Sequence, residues 1–308
     1  MKKFKQVEET IYGGKHFVTY SEHIKKSTLM SHYHKSAKNI HVIPHGSINL
    51  ASLVTIERGD DYEKAQASLL YCKKLLAGIF LKSSSEYVRK FSNTSVKFLF
   101  YASQFRPSKN VLTLLRAYNY LLRKRYIDHK LILTGTFNTL KEIPDYIKKH
   151  QLSHDVLLLT NLTSNELAAC YKLADLTVNP SLSEGGCPFT LTESLSVGTP
   201  VIMAKISVTT EIIIDKDLQQ LMLFDPYDWR NLATRIEWGL ANRQTLLEQQ
   251  LQLYTTLAQR NWQHVADEHI MILDKLSNMN DELNIHSLAS YKETPCLELQ
   301  NVRDSANI

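Results

Sequence analysis

Between residues 96 and 224, short apolar runs recur, and most are separated by a stretch with helical periodicity. This alternation constrains the fold more than any other feature of the chain. Val96–Tyr101, Leu131–Leu133, Val156–Leu159, Ala174–Val178 and Val201–Met203 read as mostly buried strands, and Leu221–Phe224 is a sixth, weaker run. Val111, Leu114, Leu115, Tyr118, Leu121 and Leu122 recur at three and four, which marks a helix with one apolar face. Thr163-Ser164-Asn165-Glu166 has the form of a capping box opening a helix through Leu173. Strands separated by helices predict βαβ units and a parallel sheet with helices on both faces, an α/β fold. Ligands of such sheets bind at the carboxyl ends of the strands. The loops that follow strands are therefore where function is expected.

The flanks are thinner. Residues 1–50 hold two short strands, in "HFVTY" and "IHVIPHG", and one helix at about 21–32, too little for a domain alone. Residues 51–95 read as a connector with an acidic patch, "ERGDDYEK", and a helix at about 62–80. Residues 227–275 are mostly helical in pattern. The chain then turns polar, and residues 276–308 are expected to form a disordered tail.

Composition excludes several classes. At 44% hydrophobic and 22% charged, the chain can bury a sizeable core. A formal charge of +5 is too small to argue for nucleic acid. Lysines cluster near the start, among them Lys2, Lys3, Lys5, Lys25 and Lys26. They form either a solvated face or a weak attraction for an anionic membrane or substrate. Four scattered cysteines without a Cys-x-x-Cys pair predict reduced thiols in a cytoplasmic protein, with neither a zinc site nor a disulfide framework. His32 and His34 lie two apart, so on a helix they point to different faces, and no metal site is expected. The longest apolar run, Leu75–Leu81, is far short of a membrane span. The opening "MKKFKQVEETIYGG" lacks the apolar core of a signal peptide.

Three loops could carry chemistry. In "YASQFRPSKN", Arg106 and Lys109 stand between a strand and a helix start. They make either a diphosphate site or an ordinary basic loop. In "LILTGTFN", Gly135 follows a strand and lets a ligand or a second backbone approach closely. In "PSLSEGGCPFTLTESLSVGTPVI", Glu184 precedes Gly185 and Gly186, and Pro188 suits the first turn of a helix. That helix would present free N–H groups to the crevice, an anion site with a carboxylate on each side. Paired carboxylates suit sugar hydroxyls or general acid/base hydrolysis. Glu193 has two readings, since Thr190-Leu191-Thr192-Glu193 also fits a capping box. Glu184 has no capping role to play. No Gly-x-Gly-x-x-Gly follows a strand, which argues against a dinucleotide enzyme.

Taken together, "SQFRPSKN", "LILTG", "TSNELAACYKLADLTVNPSLSEGG", "ESLSVGTPVI" and "LFDPYD" resemble, in order, the retaining GT-B glycosyltransferases of family 4, also called group 1. The resemblance covers roughly residues 96–275, with weaker matches in "VTYSEHIKKS", "IHVIPHG" and "NWQHVADEHI". It implies a Rossmann-like donor-binding domain over 96–275 and a remnant of the acceptor domain and linker over 1–50. It also implies transfer, with retention, from a nucleotide-diphosphate sugar (UDP- or GDP-linked) to an unknown glycan, lipid or small-molecule acceptor, without a metal. By position, Lys109 and Arg106 would contact the diphosphate, with Gln104 at the place of the family's usual Arg. Glu184 would hold sugar hydroxyls, and Gly185 and Gly186 would line the sugar and phosphate. Thr190 and Leu191 would offer backbone N–H groups, and Glu193 would hold the ribose. Gly135 falls in the matching "LILTG".

Two departures stand out. Eight residues lie between Glu184 and Glu193, one more than the family's usual spacing, and the extra one is placed in the loop before the helix. The first Rossmann-like domain is almost absent, along with the family's histidine near the reacting carbon. His41 and His45, in the linker, are not assigned that role. The expectation is a cytoplasmic glycosyltransferase with at most peripheral contact at the membrane; the alternative is a split-enzyme or non-catalytic donor-binding subunit that pairs with a separate acceptor domain.

Overall fold

The structure, a computed structural model, describes residues 2–93, 95–136 and 140–290. The chain opens with helix α1 (Lys2–Gly13), strand β1 (Phe17–Thr19), a π-helical segment at Ile24–His32 and strand β2 (Ile40–Val42). β1 and β2 pair in parallel as a two-stranded sheet. Three helices follow: α2 (Ala51–Val54), α3 (Asp61–Leu81) and α4 (Glu86–Arg89).

All six predicted strands of the central sheet are present. In chain order they alternate with helices as β3 (Phe98–Tyr101), α5 (Val111–Lys124), β4 (Lys130–Leu133), α6 (Glu142–Lys149), β5 (Val156–Leu158), α7 (Ser164–Leu173) and β6 (Leu176–Asn179). Then come α8 (Phe189–Ser196), β7 (Val201–Ala204), α9 (Ser207–Ile212), α10 (Lys216–Met222) and β8 (Leu223–Phe224). The chain continues with α11 (Trp229–Ala241), α12 (Arg243–Ala258) and α13 (Trp262–Ser290).

The strand order is β5-β4-β3-β6-β7-β8, and every pairing is parallel. β3 lies at the centre, with Leu99 opposite both Leu131 and Leu176. Side chains of one strand alternate between faces. Leu99 and Tyr101 therefore join one core with α5, α11 and α12, while Phe98 and Phe100 join a second core with α3 and α7. Burial on both faces explains why these runs are apolar throughout. Each fully buried Phe or Leu contributes about 1.5–3 kcal/mol.

Local signals act as the sequence suggests at α7. Thr163 accepts from the Glu166 N–H, and the Glu166 carboxylate accepts from the Thr163 N–H at 2.8 Å. Two expectations differ from the structure. The helix expected in the connector, α3, is part of the main fold: Leu76, Ile79 and Phe80 cover the sheet beside α7. Among the described residues, those up to Val265 accordingly form one compact unit, and those from Ala266 a second. The polar tail is helical as far as Ser290, since no glycine or proline interrupts Trp262–Ser290. Residues 291–308 of that tail lie outside the described residues. No helix among the described residues is long and apolar enough to cross a membrane.

Candidate functional site

Strand order reverses direction between β3 and β6, and in open parallel sheets the crevice at such a switch point, at the carboxyl ends, is where ligands bind. A cleft of about 370 Å³ lies there. The loop after β3 contributes Gln104, Arg106 and Lys109; the loop after β6 and the start of α8 contribute Glu184, Pro188, Phe189, Thr190 and Glu193. Two loops about 75 residues apart in sequence thus converge because their strands are neighbours.

The loops are braced to each other. The Leu182 N–H donates to the Ser108 carbonyl at 2.7 Å. The Tyr101 and Ser181 hydroxyls are 3.1 Å apart. Asn179 accepts from the Ser181 N–H and donates to the Thr190 hydroxyl. Lys109 closes a short 3-10 turn at Pro107–Lys109, after which Asn110 takes the left-handed conformation at φ 51° and α5 begins. Asparagine tolerates that conformation better than most residues.

Within this frame the Lys109 ammonium donates to Glu184 Oε1 at 2.6 Å, with the two side chains only 25% and 17% exposed. The sequence singled out both residues without indicating that they meet. Arg106 and Gln104 also line the cleft and are exposed. Arg106 makes no ion pair among the described residues, so it is a cation available to a ligand.

Glu193 is not a cap. α8 begins at Phe189 with Pro188 at the N-cap position, which puts Glu193 in the second turn, past the position a capping box requires. Its carboxylate instead accepts from the Tyr171 hydroxyl at 2.6 Å. Tyr171 is fully buried in α7 and was not among the residues the sequence singled out. The only signal for it is one large polar-tipped residue following the small, buried Ala168, Ala169 and Cys170.

Burial pushes the Glu193 carboxyl above its usual 4.5, and the Tyr171 hydroxyl pulls it down less strongly. A carboxyl with a raised folded pKa favours the folded state below its unfolded pKa, and that contribution is lost as pH rises through the folded value. Glu193→Gln keeps an acceptor for Tyr171 and removes the buried charge. It is expected to raise the urea midpoint at neutral pH, with the gain vanishing as pH falls below about 4.5. Denaturant titrations of both proteins across that range measure this.

Of the remaining sequence candidates, Gly135, Gly185, Gly186 and Leu191 do not line the cleft. A Cβ on Gly135 would run into the Phe105 ring, so this glycine admits a side chain of its own protein. Gly185 is exposed, and its carbonyl accepts from the Ser21 hydroxyl at 3.1 Å. A Cβ on Gly186 would stand 2.6 Å from Tyr20 Cβ and 3.1 Å from the His45 ring. Gly186 therefore lets the loop close against the N-terminal segment, whereas a Cβ on Gly185 would meet only Tyr20, at 3.9 Å. The Leu191 N–H, expected to be free, donates to the Pro188 carbonyl at 3.0 Å. The Thr190 N–H, in the first turn of α8, has no acceptor among the described residues. No group of three His, Cys, Asp or Glu is placed to hold a metal ion among the described residues.

Comparison with known proteins bears on the family and the fold. The chain is 26% identical over 174 residues to the serotype-specific mannosyltransferase WbdA of Escherichia coli, covering 55% of this chain and 21% of WbdA. It thus spans about a fifth of the length of the curated relatives it matches. Among solved structures, a glycosyltransferase from Rickettsia africae superposes with a TM-score of 0.63 at 17% identity, over 89% of this chain and 67% of that one. Anabaena Alr3699/HepE in complex with UDP-glucose superposes with a TM-score of 0.63 at 17% identity, over the same shares. These likenesses show the fold, which is that of GT-B glycosyltransferases. The profile of the glycosyl transferases group 1 matches residues 85–255, more than half of the chain. The chain therefore belongs to the group 1 glycosyl transferase family.

Proposed function

We propose that the cleft over the switch point binds a nucleotide-diphosphate sugar and that the chain serves transfer of its glycosyl group, with retention of configuration. The observation that carries this reading is the convergence of Lys109, Arg106, Glu184 and Glu193 on one cleft at the carboxyl edge of the sheet. Lys109, Arg106 and the unbonded Thr190 N–H offer positive charge to a diphosphate, and the amino end of α8 adds its dipole. An ammonium has three donors, and Glu184 takes one of those on Lys109. Lys109 can therefore bridge phosphate and Glu184, while Glu184 accepts from sugar hydroxyls. Glu193, held by Tyr171, accepts from the ribose. In this reading the diphosphate departs against fixed cations, and catalysis comes from charge stabilisation and positioning with no metal.

The donors to titrate are UDP-glucose, UDP-galactose and GDP-mannose, by calorimetry on the full chain, with hydrolysis and transfer followed in parallel. Glu193→Gln is expected to weaken the preferred donor about 10- to 100-fold, the cost of losing a charge-assisted hydrogen bond. The same substitution is expected to stabilise the free protein at neutral pH, as argued above, so weaker binding cannot be mistaken for unfolding. No binding of any nucleotide sugar would overturn the reading.

A further inference from the structure

A second and larger cleft, of about 880 Å³, opens at the same carboxyl edge of the sheet, over β7 and β8. Ile206 lines it, and Ile206 also lines, with Glu184 and Pro188, the narrow crevice next to the first cleft. Three cationic residues line this second cleft from three different elements: Lys205 after β7, Lys216 at the start of α10 and Arg235 on α11. None of the three makes an ion pair or a side-chain hydrogen bond among the described residues. Arg235 is half-buried, and its Nε is fully buried without an acceptor. A partly buried guanidinium that nothing inside the fold accepts from calls for an explanation.

Two carboxylates also line the cleft, but both are engaged with backbone. Asp225 accepts from the Tyr227 N–H at 2.9 Å. Asp228 accepts from the N–H groups of Arg230 and Asn231 as the cap of α11. These bonds hold the acids in their turns, and no contact brings them to the three cations. Cations therefore remain in excess, on separate elements, around a space large enough for a small molecule.

We propose that this cleft is a second binding site, which takes the phosphate group of a small soluble ligand on Lys205, Lys216 and Arg235. Arg235 would supply the planar fork that suits phosphate oxygens, and the two lysines point charges. The site is separate from the diphosphate site proposed around Lys109 and does not depend on it.

The test is a calorimetric titration of the full chain with inorganic pyrophosphate at low salt. Two binding events are expected, both weakened by added salt. Lys109→Ala should remove one and leave the other. The exposed pair Lys205→Gln/Lys216→Gln, and separately Arg235→Gln, should weaken the other by roughly tenfold or more and leave UDP binding unchanged. Because the two lysines are exposed, their double variant decides the matter even if Arg235→Gln fails to fold. A single event in the native chain that Lys109→Ala abolishes would overturn the second site. So would a second event that survives both cleft variants. Loss of the donor reading has a different signature, pyrophosphate binding that Lys109→Ala leaves untouched.

Discussion

Lys109→Ala is expected to lower nucleotide-sugar affinity by about 10- to 100-fold, measured by calorimetry against the donor the native chain prefers. The side chain carries two duties that the free structure already links. It faces the cleft as a cation, and it neutralises Glu184 at 2.6 Å. Truncation removes the proposed phosphate partner and also strands a carboxylate that is only 17% exposed. The stranded charge has two consequences. It repels an incoming diphosphate, which adds to the affinity loss. It also costs the free protein about 1–3 kcal/mol, the penalty for a partly buried charged group left without its partner. A melting point lowered by about 2–4 °C for each kcal/mol should accompany the binding defect. The double variant Lys109→Ala/Glu184→Gln separates the two effects, because it removes the stranded charge: stability should return and donor affinity should not. Full donor affinity in Lys109→Ala would remove Lys109 from the site.

Gly135→Val is expected to destabilise the protein by about 1–3 kcal/mol and to weaken donor binding with it, read by thermal melts and calorimetry on the same samples. Gly135 follows β4, and any Cβ there meets the Phe105 ring, which is 2% exposed. Valine would have to push that ring out. Phe105 sits between Gln104 and Arg106, both of which line the cleft. The displaced ring would therefore carry the cleft-lining loop with it. A glycine kept open for a ligand would behave otherwise: valine would block binding and leave the melting point where it was. The two measurements together distinguish packing from ligand approach.

These two cases show where the chain is legible and where it is not. The strands over 96–224 could be read because a sheet buried on both faces requires unbroken apolar runs, and helices requiring a 3.6-residue stripe lie between them. The α7 capping box could be read because its four residues are contiguous and satisfy one another's backbone. The same pattern at Thr190–Glu193 left two readings open, and the structure removes the cap for a physical reason. A capping box needs the helix to start at its first residue, and the start of α8 is set by Pro188, with no side-chain cap. Gly135, Gly185 and Gly186 could be recognised as places of close approach. What approaches them, Phe105 at the first and Ser21, Tyr20 and His45 at the others, depends on segments distant in the chain.

By itself, then, the sequence determined the alternation of strands and helices, the parallel sheet it implies and the loops in which charged residues stand, because each of these rests on periodicity and short-range hydrogen bonding. Only the tertiary structure decided the partners: Lys109 with Glu184, Tyr171 with Glu193, Phe105 against Gly135, and Lys205, Lys216 and Arg235 around one cleft. Strand order brings those residues together, and strand order is set by how the helices pack on the two faces of the sheet, which no local pattern encodes.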